Sequence, residues 1–292
     1  MSTPALLDEQ LPDIDWSVLP SGSVPGVFEA PSGPLAMVSM GKPENPRVVL
    51  LPGATGSKED FWFVMPVLAE AGYFVQSYDL AGQYESFAAG PENLVPPREH
   101  YDYELFLDDL LHFLEIGGPV HLLGYSFGGI LGEMFTVRHP ELVLSLVLLS
   151  TPPLAGQCFR GVKRIGRFSS LASPGVIAAL MKWGIARNFI PVSQARLKFA
   201  MHRFELTRPD AHLDIMDLMR HSPDLRAELT QLPQPKFVAV GEHDLWPMKL
   251  HREFAQALGA TLSIYPAGHS PSETTPYQLS RDLLALYGRL SR

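Results

Sequence analysis

Short runs of consecutive apolar residues, each followed by a segment with helical spacing, constrain this chain more than any other feature. Arg47-Val48-Val49-Leu50-Leu51, Tyr73 to Tyr78, Val120-His121-Leu122-Leu123, Leu142 to Leu149, Lys236 to Val240 and Thr261 to Tyr265 are such runs. A strand with one wet face alternates apolar and polar residues. A continuous apolar run means burial on both faces. Between the runs lie helical patterns: one opening at Ser57, with Asp60 in its first turn, and stopping near Gly72; then Tyr101 to Ile116, Met248 to Leu258 and Thr274 to Leu290. Strand and helix in regular alternation predict an α/β fold, a mostly parallel twisted sheet with helices on both faces.

The rhythm has two exceptions. Residues 1–34 are rich in Pro, Gly and Ser and show no apolar period, which predicts an N-terminal arm that is extended or poorly ordered. From 154 to 232 no strand pattern occurs. Helical segments such as Ala195 to Phe204 and Ala211 to Met219 are punctuated there by Gly and Pro. The chain therefore divides into an arm (1–34), an α/β core domain (35–153 and 233–292) and an all-helical cap insertion (154–232).

Composition narrows the partners. A hydrophobic fraction of 46% is enough for a large core, and the net charge of −8 argues against nucleic acid. The longest strongly apolar stretch is too short for a membrane span, and the N-terminus lacks the pattern of a signal peptide. The single cysteine, Cys158, forms no intramolecular disulfide and has no base beside it, so it reads as a packing residue. One cysteine fits a reducing, cytoplasmic compartment; a secreted protein without disulfides also fits. An oligomer is compatible with all of this. The histidines show no ligand spacing, and no G-x-G-x-x-G follows an early strand, so the sequence calls for no metal and no cofactor.

The chemistry concentrates at Gly124-Tyr125-Ser126-Phe127-Gly128-Gly129, between the run at 120–123 and a helical segment beginning at Ile130. A serine between glycines, where a buried strand turns into a helix, is the context of a nucleophile elbow. A serine hydroxyl needs a general base, and that base needs an orienting partner. In a parallel sheet the loops after the strands gather along one edge. Ser126 follows one strand, Asp244 another and His269 a third. Other polar residues have structural explanations. His121 lies within a strand as a packed core histidine, and His243 is a loop residue beside Asp244. Asp79 caps the loop 80–84, and Glu133 is a buried polar neighbour on the elbow helix.

Four motifs together carry a resemblance: Leu51-Pro52-Gly53-Ala54, the elbow, Gly241-Glu242-His243-Asp244 and Gly268-His269. Over residues 35–151 and 233–292 the chain resembles the α/β-hydrolase fold superfamily, whose triad runs in the order Ser, acid, His. The resemblance implies Ser126 as nucleophile, His269 as general base and then acid, and Asp244 as its orienting partner. It implies the backbone N–H groups of Phe127 and Ala54 as the oxyanion hole. Pro52 stands where many members have histidine, so the hydrogen bonds that support this loop are expected to differ.

The function so implied is a serine hydrolase acting through an acyl-enzyme on a small carboxylic ester with apolar groups. The apolar residues of the insertion, Trp183 among them, would roof an apolar pocket. The same fold also hosts C–C bond hydrolases of ring-cleavage products and cofactor-free perhydrolases or haloperoxidases. A non-catalytic protein that binds a small ligand is the reading from another class.

Overall fold

The computed structural model describes residues 3–163, 175, 176, 179 and 192–290. Eight strands form one sheet: β1 (Ser23–Ala30), β2 (Gly33–Met40), β3 (Arg47–Leu51), β4 (Phe74–Tyr78), β5 (Val120–Tyr125), β6 (Val143–Leu149), β7 (Lys236–Gly241) and β8 (Thr261–Tyr265). Their order across the sheet is β1-β2-β4-β3-β5-β6-β7-β8. The first three pair antiparallel; from β4 to β8 every pairing is parallel.

The helices are α1 (Pro4–Glu9), α2 (Val64–Glu70), α3 (Tyr103–Glu115), α4 (Phe127–Arg138), α5 (Gln194–Leu206), α6 (Pro209–Arg220), α7 (Arg226–Gln231), α8 (Met248–Ala257), α9 (Pro271–Thr274) and α10 (Pro276–Tyr287). They cover two faces, which explains the continuous apolar runs. Alternate residues of one strand enter opposite cores: Leu122 packs with α3 and α4, whereas Leu123 packs with α2 and α10. Side chains alternate across a sheet, so a strand with two dry faces must be apolar throughout.

Three expectations are corrected here. Residues 23–30, read as part of an arm, form edge strand β1, and Trp16 is buried. Pro25 and Gly26 broke the strand pattern; proline is tolerated there because β1 is an edge. The helix expected from Ser57 to Gly72 is two pieces. Ser57 and Asp60 do form a capping box, but it opens only a 3₁₀ turn, Lys58–Phe61, before α2 begins at Val64. Pro66 would interrupt a continuous helix, yet it is accepted in the first turn of α2. The closing helix likewise divides into α9 and α10, with Pro276 opening the second.

In the insertion, the described residues form a short 3₁₀ turn (Cys158–Gly161) and α5 to α7. The stretch containing Trp183 lies outside the described residues. Gly156 and Ser222, near the two ends of the insertion, meet in an isolated bridge.

Candidate active site

Between the end of β5 at Tyr125 and the start of α4 at Phe127 the chain turns on a single residue position. Ser126 occupies it with φ 52° and ψ −114°, a conformation that costs energy for any residue with a side chain. Close packing makes it possible. A Cβ at position 124 would overlap the Gly128 carbonyl oxygen, and one at 128 would lie 2.5 Å from the Pro52 carbonyl oxygen. Both positions therefore require glycine. The result is a buried serine held between the strand end and the start of α4.

Two later strand exits meet this serine. His269, after β8, places Nε2 3.2 Å from Ser126 Oγ. Its Nδ1 is 2.8 Å from Asp244 Oδ2, in the loop after β7. Asp244 is buried, whereas the His269 side chain keeps 14% exposure. The rings of Tyr125 and Trp246 stand 5.4 and 5.9 Å from the imidazole. Burial alone would raise the Asp244 carboxyl. The charge of His269 and hydrogen bonds from His251 and His269 outweigh it and hold the group well below the ordinary carboxylate range. An ionised carboxylate only accepts, so His269 donates its Nδ1–H, and its Nε2 is free to accept from the serine.

Beside the serine lies the loop after β3. A Cβ on Gly53 would be 3.1 Å from Ser126 Cβ, so the loop that carries Ala54 lies against Ser126. Phe127 is the first residue of α4, so its N–H has no partner within the helix. The loop is braced by groups that the sequence did not single out. Thr55 N–H donates to Gln83 Oε1, and Gly56 N–H donates to the Gly53 carbonyl at 3.0 Å. Asp79 was expected to cap residues 80–84. Instead it accepts from the Lys58 backbone N–H at 2.8 Å and from Lys58 Nζ at 3.0 Å. A buried carboxylate needs a charged partner more than a turn needs a cap, and Lys58 is within reach.

The other expectations fall into place. His121 is buried with Nδ1 2.8 Å from Ser145 Oγ and stacks on Tyr287; burial pushes it down to about 4, so it is neutral. His243 is exposed beside Glu242. Cys158 is fully buried, and its thiol is pushed far up by burial.

Sequence reasoning missed His251 and an ion cluster. His251 lies on α8 with Nε2 3.0 Å from Asp244 Oδ1. On α5, Arg196 pairs with Asp60 at 2.6 Å and with Glu273, and Arg203 pairs with Asp60. Asp60 is the third residue of the 3₁₀ turn that Ser57 opens, and Glu273 lies four residues beyond His269. No local motif announces either group: His251 turns back onto Asp244 from the helix that follows its loop, and the arginines reach Asp60 from a helix more than a hundred residues away.

A family model described as alpha/beta hydrolase fold matches residues 46–163, the segment from β3 through the elbow to the start of the insertion. The chain has the α/β-hydrolase fold. Among its relatives is the human serine hydrolase-like protein, 29% identical over 124 residues. That match takes in 42% of this chain and 58% of the relative, so the chain spans little more than half of that protein. The strigolactone esterase D14 of Arabidopsis thaliana is 24% identical over 257 residues, 81% of this chain and 91% of the relative. A solved structure from work on carboxylesterases of Nitrososphaera gargenis superposes with a TM-score of 0.72 at 18% identity, covering 91% of this chain and 99% of that one. At that identity the likeness concerns the fold.

Proposed function

We propose that this α/β-hydrolase is a serine hydrolase that works through an acyl-enzyme, and that its substrate is a small carboxylic ester with apolar groups. The observation that carries the reading is the continuous hydrogen-bonded chain Ser126–His269–Asp244, ending on a serine in strained backbone. Ser126 Oγ attacks the acyl carbon while its proton passes to His269 Nε2. Asp244 stabilises the imidazolium so formed. The N–H groups of Phe127 and Ala54 receive the oxyanion. The imidazolium then gives its proton to the departing alkoxide, and the alcohol leaves. Water, deprotonated by His269, repeats the sequence on the ester of Ser126, releasing the acid and restoring the serine.

An ester substrate is supported by the names of relatives such as the strigolactone esterase. The segment 154–232 serves in this reading as a cap over the site. No ligand, metal or cofactor is required by the steps above.

Two variants and two reagents test the assignment. A fluorophosphonate probe should label the wild type and leave Ser126→Ala unlabelled. Short p-nitrophenyl esters should be turned over by the wild type, with a loss of about 10⁴-fold or more in kcat for Ser126→Ala. Asp244→Asn should lose roughly 10⁴-fold with the fold intact, as expected for the wrong histidine tautomer. Labelling that survives in Ser126→Ala would refute the nucleophile. A wild type that binds esters without turning them over would point to a binding protein. Ring-cleavage diketones and peroxide, assayed alongside, separate the C–C hydrolase and perhydrolase chemistries.

A further inference from the structure

We infer that His251 is a positioning residue for the Ser126–His269–Asp244 chain, holding the Asp244 carboxylate by its second oxygen; the inference rests on the serine-hydrolase reading. His251 is completely buried in the second turn of α8. Its Nε2 lies 3.0 Å from Asp244 Oδ1, which also accepts the Trp246 backbone N–H at 3.0 Å. His269 occupies the other oxygen, Oδ2, at 2.8 Å. The carboxylate thus sits between two imidazoles, one facing the serine and one facing the core.

The ionised acid accepts from both, which fixes the tautomer of His251. Its proton is on Nε2, and its Nδ1 is a buried acceptor with no hydrogen-bond partner among the described residues. A residue present only for packing would not carry that unsatisfied atom, because an apolar side chain fills the same space without it. The gain lies on the other nitrogen. With Trp246 alone on Oδ1, the carboxylate could swing about its last torsion, and Oδ2 would lose alignment with His269. The His251 donor also draws negative charge toward Oδ1, which limits how strongly Oδ2 stabilises the His269 imidazolium.

Few other charges face this carboxylate. Lys163 Nζ donates to the Asp244 main-chain carbonyl at 2.8 Å. Glu242 and His243, in the same loop, are exposed and pair with each other, and Lys249, Arg252 and Glu253 lie on the exposed face of α8.

The test compares His251→Leu with His251→Gln, whose amide N–H reaches the position of Nε2. Steady-state kinetics with a p-nitrophenyl ester are taken across pH. The downfield proton resonance of the His269–Asp244 hydrogen bond is recorded without substrate. In the Leu variant kcat should fall about 10-fold at nearly constant KM, as for one lost hydrogen bond to a charged group. The acid limb of kcat/KM should move to higher pH, and the resonance should shift. Gln should restore all three. A Leu variant whose acid limb and resonance match the wild type, or a Gln variant that behaves like Leu, overturns the inference. If the Leu variant does not fold, His251→Asn replaces it, since its shorter amide falls short of Asp244. A wild type that neither labels with fluorophosphonate nor turns over ester removes the serine-hydrolase reading instead, and the resonance alone then decides the role of His251.

Discussion

Glu133 has little reason to be ionised. It lies on α4 two turns beyond Ser126, buried beside a small cavity of about 20 Å³ that Ile130, Leu154, Ser222 and Phe254 also line. Its Oε1 has no hydrogen-bond partner among the described residues. Burial raises its carboxyl from 4.5 to about 8, with Asp224 adding to the rise and Arg226 opposing it. The sign for stability follows. The folded value lies above the unfolded one, so the protonated group stabilises the fold below about pH 4.5. That stabilisation is lost as pH climbs toward 8. Glu133→Gln keeps the shape and removes the titration. Urea denaturation of the wild type should therefore show stability falling between pH 5 and 8 relative to Glu133→Gln, by an amount on the order of a few kcal/mol. Parallel curves for the two proteins would mean that the carboxyl finds a partner when it ionises. Glu133 was readable from the sequence only as a buried polar neighbour. Its lack of a partner depends on which loops of the insertion close over it.

Helix α5 is tied to the elements beside the sheet edge by buried ion pairs. Arg196 and Arg203 are seven residues apart, two turns along one face. Both reach Asp60, and Arg196 also reaches Glu273. Asp60 belongs to the turn after the Ala54 loop, and Glu273 to the helix after His269. One helix thereby joins the turn that follows the Ala54 loop to the helix that follows His269. Burial would raise the Asp60 carboxyl, but Arg203 and Arg196 outweigh it and keep it below its ordinary value. Removing one partner of a buried cluster strands the others, at a cost of about 3–5 kcal/mol. Arg196→Met should lose stability on that scale by chemical denaturation, and adding Glu273→Gln should recover part of it. A loss below about 1 kcal/mol would show that α5 is held by apolar packing alone. The helix itself was legible, since the sequence places helical spacing at 195–204. The task of its arginines was not, because Asp60 is more than a hundred residues away and no periodicity links them.

At the scale of the whole molecule, the sheet and the three polar residues at its edge could be read from the chain because each is announced locally. Apolar runs announce strands, and Ser126, Asp244 and His269 each stand just past one. What could not be read is whatever crosses long distances, and the N-terminal segment is the clearest case. Its Pro and Gly content suggested an arm, yet it ties the two ends of the chain together. Asp8, on α1, accepts from the Tyr277 N–H at 2.8 Å and the Gln278 N–H at 3.3 Å. These are free donors in the first turn of α10, whose own cap residue, Thr275, makes no side-chain cap. Asp8 thus serves as the cap of α10 from the opposite end of the sequence, and its charge also suits the helix N-terminus. Trp16 continues the strap, with the Arg196 guanidinium 4.4 Å above its ring and Phe63 edge-on at 5.5 Å. Asp8→Ala should cost about 1 kcal/mol, which for a chain of this size lowers the melting temperature by roughly 2–4 °C. The loss should be concentrated at the chain ends. Amide hydrogen exchange should quicken in the first turn of α10 and in α1 while β5 and α4 stay protected. Uniform acceleration across the sheet would mean that the strap is part of the global cooperative unit, and unchanged exchange in α10 would mean that Thr275 or water caps that helix unaided.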